Sequence, residues 1–290
     1  MEQARPCCIA VLITVHNRRE TTLRCLYSLM DQSLDRSRYE LTVYLTDDGC
    51  NDGTPEAIRS EFPAVRIIQG DGTLFWNRGM IAAWKEAARQ DNDYYLWVND
   101  DTLLFKDGIR RLLYTSNLHE ENAIIVGSTC ASGDSQCVTY GGWQKGQLIT
   151  DLSSEQPCET FNGNFVLIPH AVFLRLGMND PFYRHSLGDF DYGLRAKEAG
   201  VGVYTTPGIC GICDTHDRIP VWMDPEQPLK KRWKHFFSPT GNNPFEYYYY
   251  RRKHYGRLPA LSSFVSNLVH FLFPRLWRHA PLSQEQGFHA

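Results

Sequence analysis

No uninterrupted apolar run in this chain approaches the ~18 residues that a membrane-spanning helix needs, which excludes an integral membrane protein of helical type. Its nine cysteines, an odd number at irregular spacings, do not form a disulfide framework. Residues 1–15 carry no secretion signal, because the apolar stretch Cys7–Ile13 is short and no small-residue cleavage site follows it. The simplest home is a reducing cytosol. A basic excess is also missing: the net charge is −3 and the pI near 6.4, which argues against nucleic acid as the main partner. Internal repeats are absent, and Tyr247–Tyr250 is the sole low-complexity tract. No Pro/Gly/Ser linker divides the 290 residues, so one catalytic domain over 1–228 with an extension over 229–290 is expected. Cys210 and Cys213 have the spacing of a redox or zinc pair, but no second pair accompanies them.

What is present is a large core and an uneven charge. Hydrophobic residues make up 42%, enough to fill a domain of this size. Between Leu229 and His279 there are ten Lys/Arg and one acid, Glu246, a segment charge of +9 against −12 for the rest. Strand and helix signals alternate through the first half. Ile9–Val15 reads as a buried strand, and Thr21 or Thr22 as the cap of a helix with Leu23, Leu26, Tyr27 and Met30 on one face. Leu41–Leu45 is the next strand and Pro55–Phe62 a short helix. A strand at Val65–Ile68, a helix at Gly79–Arg89 and a strand at Tyr94–Val98 follow. Such alternation implies a mostly parallel sheet flanked by helices, an α/β fold. Residues 129–160 are polar and turn-rich and read as a long loop. A strand at Phe165–Ile168, helices at Ala171–Leu176 and Asp189–Ala199, and a strand at Val201–Thr205 complete the pattern.

Two acidic clusters carry the chemistry. Asn99-Asp100-Asp101 ends the apolar strand Tyr94–Val98, and Gly188-Asp189-Phe190-Asp191 opens a helix. Carboxylates at the carboxyl end of a strand lie where open α/β sheets bind ligands. A hard divalent cation bridging a diphosphate needs one or two of them. A displacement needs another as general base. Each cluster also has a structural alternative: a turn for Asp47-Asp48, a helix cap for Asp100-Asp101, a favourable helix-dipole position for Asp189. Trp76 beside the glycine-bearing loop is suited to core packing or to stacking on sugar or base.

In this order the motifs resemble family 2 glycosyltransferases of the GT-A (Rossmann-like) fold. Leu12-Ile13-Thr14-Val15-His16-Asn17-Arg18 is similar to that family's first strand and nucleotide-base loop, and Thr46-Asp47-Asp48-Gly49 to its second. Asn77-Arg78-Gly79 is similar to its helix start, and Asn99-Asp100-Asp101 stands at its Asp-x-Asp metal motif. Gly188-Asp189-Phe190-Asp191-Tyr192-Gly193-Leu194-Arg195-Ala196 is similar to the helix bearing the base. The resemblance covers about residues 8–217. It implies a nucleotide-binding half over about 1–105 and an acceptor half over 106–228. On the donor side it implies Thr14, His16, Asn17, Arg18, Asp47, Asp48, Trp76, Asn77, Arg78 and Asp100. Mg²⁺ or Mn²⁺ would be held by Asp101, Asp100 and His216, with Asp189 as base and Asp191 and Trp143 toward the acceptor.

The chain departs from that pattern at Asn99, where the family has aspartate, and at Gly188, where many relatives have an acid. The implied reaction is inverting, metal-dependent hexosyl transfer from a UDP- or dTDP-sugar to a glycan or lipid-linked acceptor, as in bacterial surface polysaccharides. A sugar-phosphate nucleotidyltransferase and a non-catalytic carbohydrate-binding protein are the alternatives. The first normally has a glycine-rich basic loop after strand one, where this chain has His16-Asn17-Arg18-Arg19-Glu20. The second has no need of carboxylates on three elements. The stripe at 261, 264, 265, 268 and 272 fits packing on its own domain, a homo-oligomer, or peripheral attachment of 229–279 to the inner face of the cell membrane.

Overall fold

The computed structural model of the chain describes residues 5–215 and 219–277. The chain divides into two compact units, the first comprising residues up to 181 with 188–215, the second 182–187 with residues from 216 onward.

The first unit begins β1 (Cys7–Val15), α1 (Arg19–Met30), β2 (Tyr39–Asp47), α2 (Thr54–Glu61), β3 (Arg66–Gln69), α3 (Phe75–Ala87) and β4 (Tyr94–Val98). β5 (Leu103–Leu104), α4 (Gly108–Leu118), β6 (Ala123–Ala131), β7 (Asp134–Tyr140), β8 (Gly142–Gln144), β9 (Gln147–Leu148), β10 (Gln156–Pro157) and β11 (Thr160–Phe161) follow. β12 (Phe165–Pro169), α5 (His170–Leu176), α6 (Gly188–Glu198) and β13 (Gly202–Ile212) complete it. The main sheet runs β10-β13-β6-β12-β4-β1-β2-β3. β1 pairs in parallel with β2 and β4, β2 with β3, and β6 with β13. β12 is antiparallel to both of its neighbours, β4 and β6.

That reversed strand positions the site. The parallel strands deliver their carboxyl ends to one edge, and β12 begins at that edge, with Phe165 opposite Val98, the last residue of β4. The turn entering β12 therefore meets the acidic cluster leaving β4.

The core follows the two-residue period of a sheet buried on both faces. Ile9, Val11, Ile13 and Val15 pack on one side with Leu23, Leu26 and Leu29 of α1 and Leu112 of α4. Ala10 and Leu12 face the other side, with Met80, Ala83, Trp84 and Ala87 of α3 and Tyr192 of α6.

Three expectations change. Thr22 lies inside α1, where its hydroxyl donates to the Arg18 carbonyl at 2.9 Å, and so does not cap the helix. α3 starts at Phe75, four residues before Gly79, because a carboxylate distant in sequence caps its first turn. Residues 129–160 are not a loop: β6 ends there, β7 pairs with it, and β8 pairs with β9 and β11. Antiparallel pairing satisfies their backbone without the apolar pattern that marks a core strand.

The second unit contains α7 (Leu229–Phe236), α8 (Pro244–Tyr255) and α9 (Arg257–Leu272). Asn243 caps α8, accepting from the amides of Phe245 and Glu246, with Pro244 in the first turn. Trp222, Phe236 and Phe271 form its small core.

Candidate active site

The site begins where β4 ends. Val98 is fully buried, and the chain then turns through Asn99-Asp100-Asp101, closed by Thr102 N–H donating to the Asn99 carbonyl at 3.0 Å. Asp100 is 5% exposed. The Arg18 guanidinium, leaving β1, spans both acids: Nη1 lies 3.0 Å from Asp100 Oδ1 and Nη2 2.7 Å from Asp101 Oδ2. Burial pushes the Asp100 carboxyl up to about 7, against the pull of Arg18. Burial weakens the Arg18 cation, but Asp100 and Asp101 outweigh it and raise its pKa. The buried Cys213 thiol, just past β13, lies 3.5 Å from Asp101 Oδ1 and takes the Asn164 amide at 3.4 Å. Burial raises that thiol well above its ordinary value, so it stays a neutral donor. Cys210 instead sits 3.9 Å from the Gly208 carbonyl, and both cysteines are free, so this pair is no disulfide.

Asp189, in the first turn of α6, is bound to the turn that enters β12. Its Oδ2 accepts from Gly163 N–H and its Oδ1 from Phe190 N–H, each at 2.9 Å. Burial raises its carboxyl to about 6, while the two amides pull it down. Gly163 is required here. A Cβ at 163 would lie 2.4 Å from the Trp76 ring, which therefore rests on bare backbone beside Asp189. The Trp76 indole N–H donates to Asn99 Oδ1 at 2.7 Å, and Asn99 N–H to the Asn164 carbonyl at 3.0 Å. Asp189 and the acidic cluster are thus joined through Trp76 and the 162–164 turn. Asn99, standing where relatives carry aspartate, is the acceptor for that indole.

The other residues expected on the donor side follow from β1, β2 and α3. Asp48, 2% exposed, accepts from the amides of Gly72 at 2.9 Å and Leu74 at 3.2 Å with one oxygen, and from Phe75 at 2.8 Å with the other. It thereby caps α3 from the end of β2. Asp47 accepts from Cys50 N–H at 2.8 Å. The His16 ring donates through Nδ1 to the Asp48 carbonyl at 2.6 Å, and Asn17, at φ +51°, accepts from Asn51 N–H at 2.8 Å. Thr14 Oγ1 donates to the Trp76 carbonyl at 3.4 Å. Asn77 is fully buried, donating to the Asp180 carbonyl and accepting from Asn179, and Arg78 Nε donates to the Pro181 carbonyl. A Cβ at Gly188 would lie 2.0 Å from Asn77 Oδ1, which accounts for a glycine where an acid is common.

Residues 10–176 match the profile described as "Glycosyl transferase family 2". The chain belongs to glycosyl transferase family 2. Among solved structures it resembles TarS of S. aureus, with a TM-score of 0.57 and 11% identity over 93% of this chain and 53% of that one. It therefore spans about half the length of TarS, and that likeness speaks for the fold. No curated protein matches the sequence.

As a family 2 glycosyltransferase, the enzyme bears its acids on this edge. The donor set fits a divalent ion of the Mg²⁺ or Mn²⁺ type: two hard carboxylates, already bridged by the Arg18 cation, with diphosphate oxygens to complete a shell. Among the described residues no three His, Cys, Asp or Glu side chains converge as ligands. His216 lies outside the described residues. Asp191 is fully buried on Arg195, whose guanidinium also donates to the Leu176 and Met178 carbonyls, so its contacts are those of a brace for α6. Trp143, 4% exposed, donates to Asn162 Oδ1 at 2.7 Å and steadies the turn that carries Gly163. Sequence reading passed over Gly163 and Asn164, and it considered Cys213 only as half of a redox or zinc pair, not as a partner of Asp101. Asn162-Gly163-Asn164 is turn chemistry directly before a strand, and that was the available signal.

Proposed function

We propose that the enzyme moves a sugar from a UDP- or dTDP-sugar to a hydroxyl of a glycan or lipid-linked acceptor in bacterial polysaccharide synthesis, inverting the anomeric centre. The observation that carries this reading is the placement of Asp189 on the same edge as Asp100-Asp101, joined to it through Trp76 and the 162–164 turn.

A general base for a sugar hydroxyl must be ionised yet basic enough to take a proton. Asp189, lifted to about 6 by burial, meets both conditions near neutral pH. Two backbone amides hold its carboxylate in place, so little ordering remains for the transition state. As the acceptor oxygen bonds to the anomeric carbon, its proton passes to Asp189, and the bond to the diphosphate oxygen breaks with its electron pair leaving on that oxygen. One displacement inverts the centre. Arg18 is placed to meet phosphate charge as well as the acids. Bound at Asp101 and Asp100, Mg²⁺ or Mn²⁺ would supply neutralisation of the departing diphosphate. The Trp76 ring gives the donor sugar an apolar surface beside Asp189.

The test is turnover of a nucleotide-sugar panel with Mn²⁺ or with EDTA, the product's anomeric configuration being read by NMR. Retention at the anomeric carbon would overturn the single displacement. Pyrophosphate release from a nucleoside triphosphate and a sugar phosphate would place the enzyme among nucleotidyltransferases instead.

A further inference from the structure

Helix α9 turns polar residues inward and apolar residues outward. At 3.6 residues per turn, Ala260, Ser263, Asn267, His270 and Phe271 share one face, and all are buried. Leu258, Leu261, Val265, Val269 and Leu272 fall on the opposite face, exposed by 80%, 55%, 52%, 37% and 57%. The inward face is held by its own unit: Phe236 of α7 stacks on Phe271 at 4.9 Å, and the buried Arg232 guanidinium donates to the Phe271 carbonyl. Trp233 of α7 and Phe273, just past α9, are also exposed, by 54% and 57%. The Trp233 ring lies 5.7 Å from that of Phe271.

The exposed charge on α7, α8 and α9 has one sign. Lys230, Lys231 and Lys234 are exposed on α7, and Arg252, Lys253 and Arg257 are exposed where α8 meets α9. Glu246 is the sole acid from 229 to 275, and it is buried against Arg184. A symmetric contact with a second copy of the chain would bring like cations against these. An anionic surface satisfies the apolar stripe and the cations together. At 16 residues α9 is too short to cross a bilayer but suited to lie in its plane, and no helix of the described residues is long and apolar enough to cross.

We infer that the outward face of α9, with Trp233 and Phe273, docks on an anionic lipid bilayer, its aliphatic side chains entering the headgroup–acyl boundary while the lysines and arginines of α7 and α8 meet lipid phosphates. This goes beyond the glycosyl-transfer reading and does not rest on it.

The test is co-sedimentation of the full chain with phosphatidylcholine vesicles, with and without phosphatidylglycerol, at low and high salt. Binding is expected to the phosphatidylglycerol vesicles at low salt and to fall at high salt. The double variant Leu261→Asp/Val265→Asp is expected to weaken it about tenfold or more, with an unchanged thermal melt because both positions face solvent. Lys230→Glu/Lys231→Glu/Lys234→Glu should weaken binding and flatten its salt dependence. The proposal is overturned if the intact protein ignores anionic vesicles at low salt or if the aspartate variant binds as the parent does. It is also overturned if light scattering shows a dimer that the aspartate variant disperses.

Discussion

Asp189 is held at about 6 by burial, and this gives its role a signature in pH. If it takes the acceptor proton, kcat/KM should rise with pH and level off above about 6. Asp189→Asn should lose that limb and reduce transfer by ~10²–10⁴-fold while UDP or TDP still binds. Activity within threefold of the parent would remove Asp189 from the mechanism. Stability carries a second readout. A carboxyl raised in the folded state contributes stability that is present below its ordinary value of 3.8 and lost as pH rises through about 6. Replacing it removes that loss, so thermal melts of Asp189→Asn should improve relative to the parent between about pH 4 and 6. For Asp101, alanine should weaken UDP or TDP binding in Mn²⁺ and change it little in EDTA. Equal losses in both, measured by calorimetry, would mean that Asp101 acts without a metal.

Among the elements, α3 shows how much of the site was legible and how much was not. The parallel half was readable because strands buried on both faces are apolar runs, such as Ile9–Ile13 and Tyr94–Val98. The start of α3 was not, because its cap is Asp48, at the end of another strand, and no local pattern announces a cap that distant. Asp48→Ala would leave the amides of Gly72, Leu74 and Phe75 without this acceptor. Unmade buried hydrogen bonds cost about 1–3 kcal/mol each, so a loss of ~3 kcal/mol is expected. That corresponds to a drop in Tm of roughly 6–12 °C, readable by calorimetry. An unchanged Tm would show that the cap does not stabilise the helix. The acids of the site were legible because carboxylates after a buried strand are costly without a partner. Their partners were not, since Gly163 and Cys213 reach the site only through strand order. The strands β7, β8 and β9 escaped notice because they are short or polar and carry no apolar alternation.

On the scale of the whole molecule, the reversal of β12 between β4 and β6 explains why one edge gathers the chemistry. β12 runs against β4, so the turn at 162–164 meets Asn99-Asp100-Asp101, and α6 then attaches Asp189 to that turn. The sheet thus brings Asp100, Asp101 and the proposed base Asp189 together from segments about ninety residues apart in the chain. The Arg18 bridge sets a timetable for that edge. Because Asp100 and Asp101 already share a protein cation, a divalent ion must exchange with it rather than fill an open charge. A diphosphate arriving at the edge offers Arg18 a second anion and releases the acids, so nucleotide and metal should enter as a pair, each poorly alone. Calorimetry should find Mn²⁺ bound weakly by the enzyme by itself and more tightly once UDP is present, and equal Mn²⁺ affinity in the two conditions would mean that the guanidinium never competes for the acids.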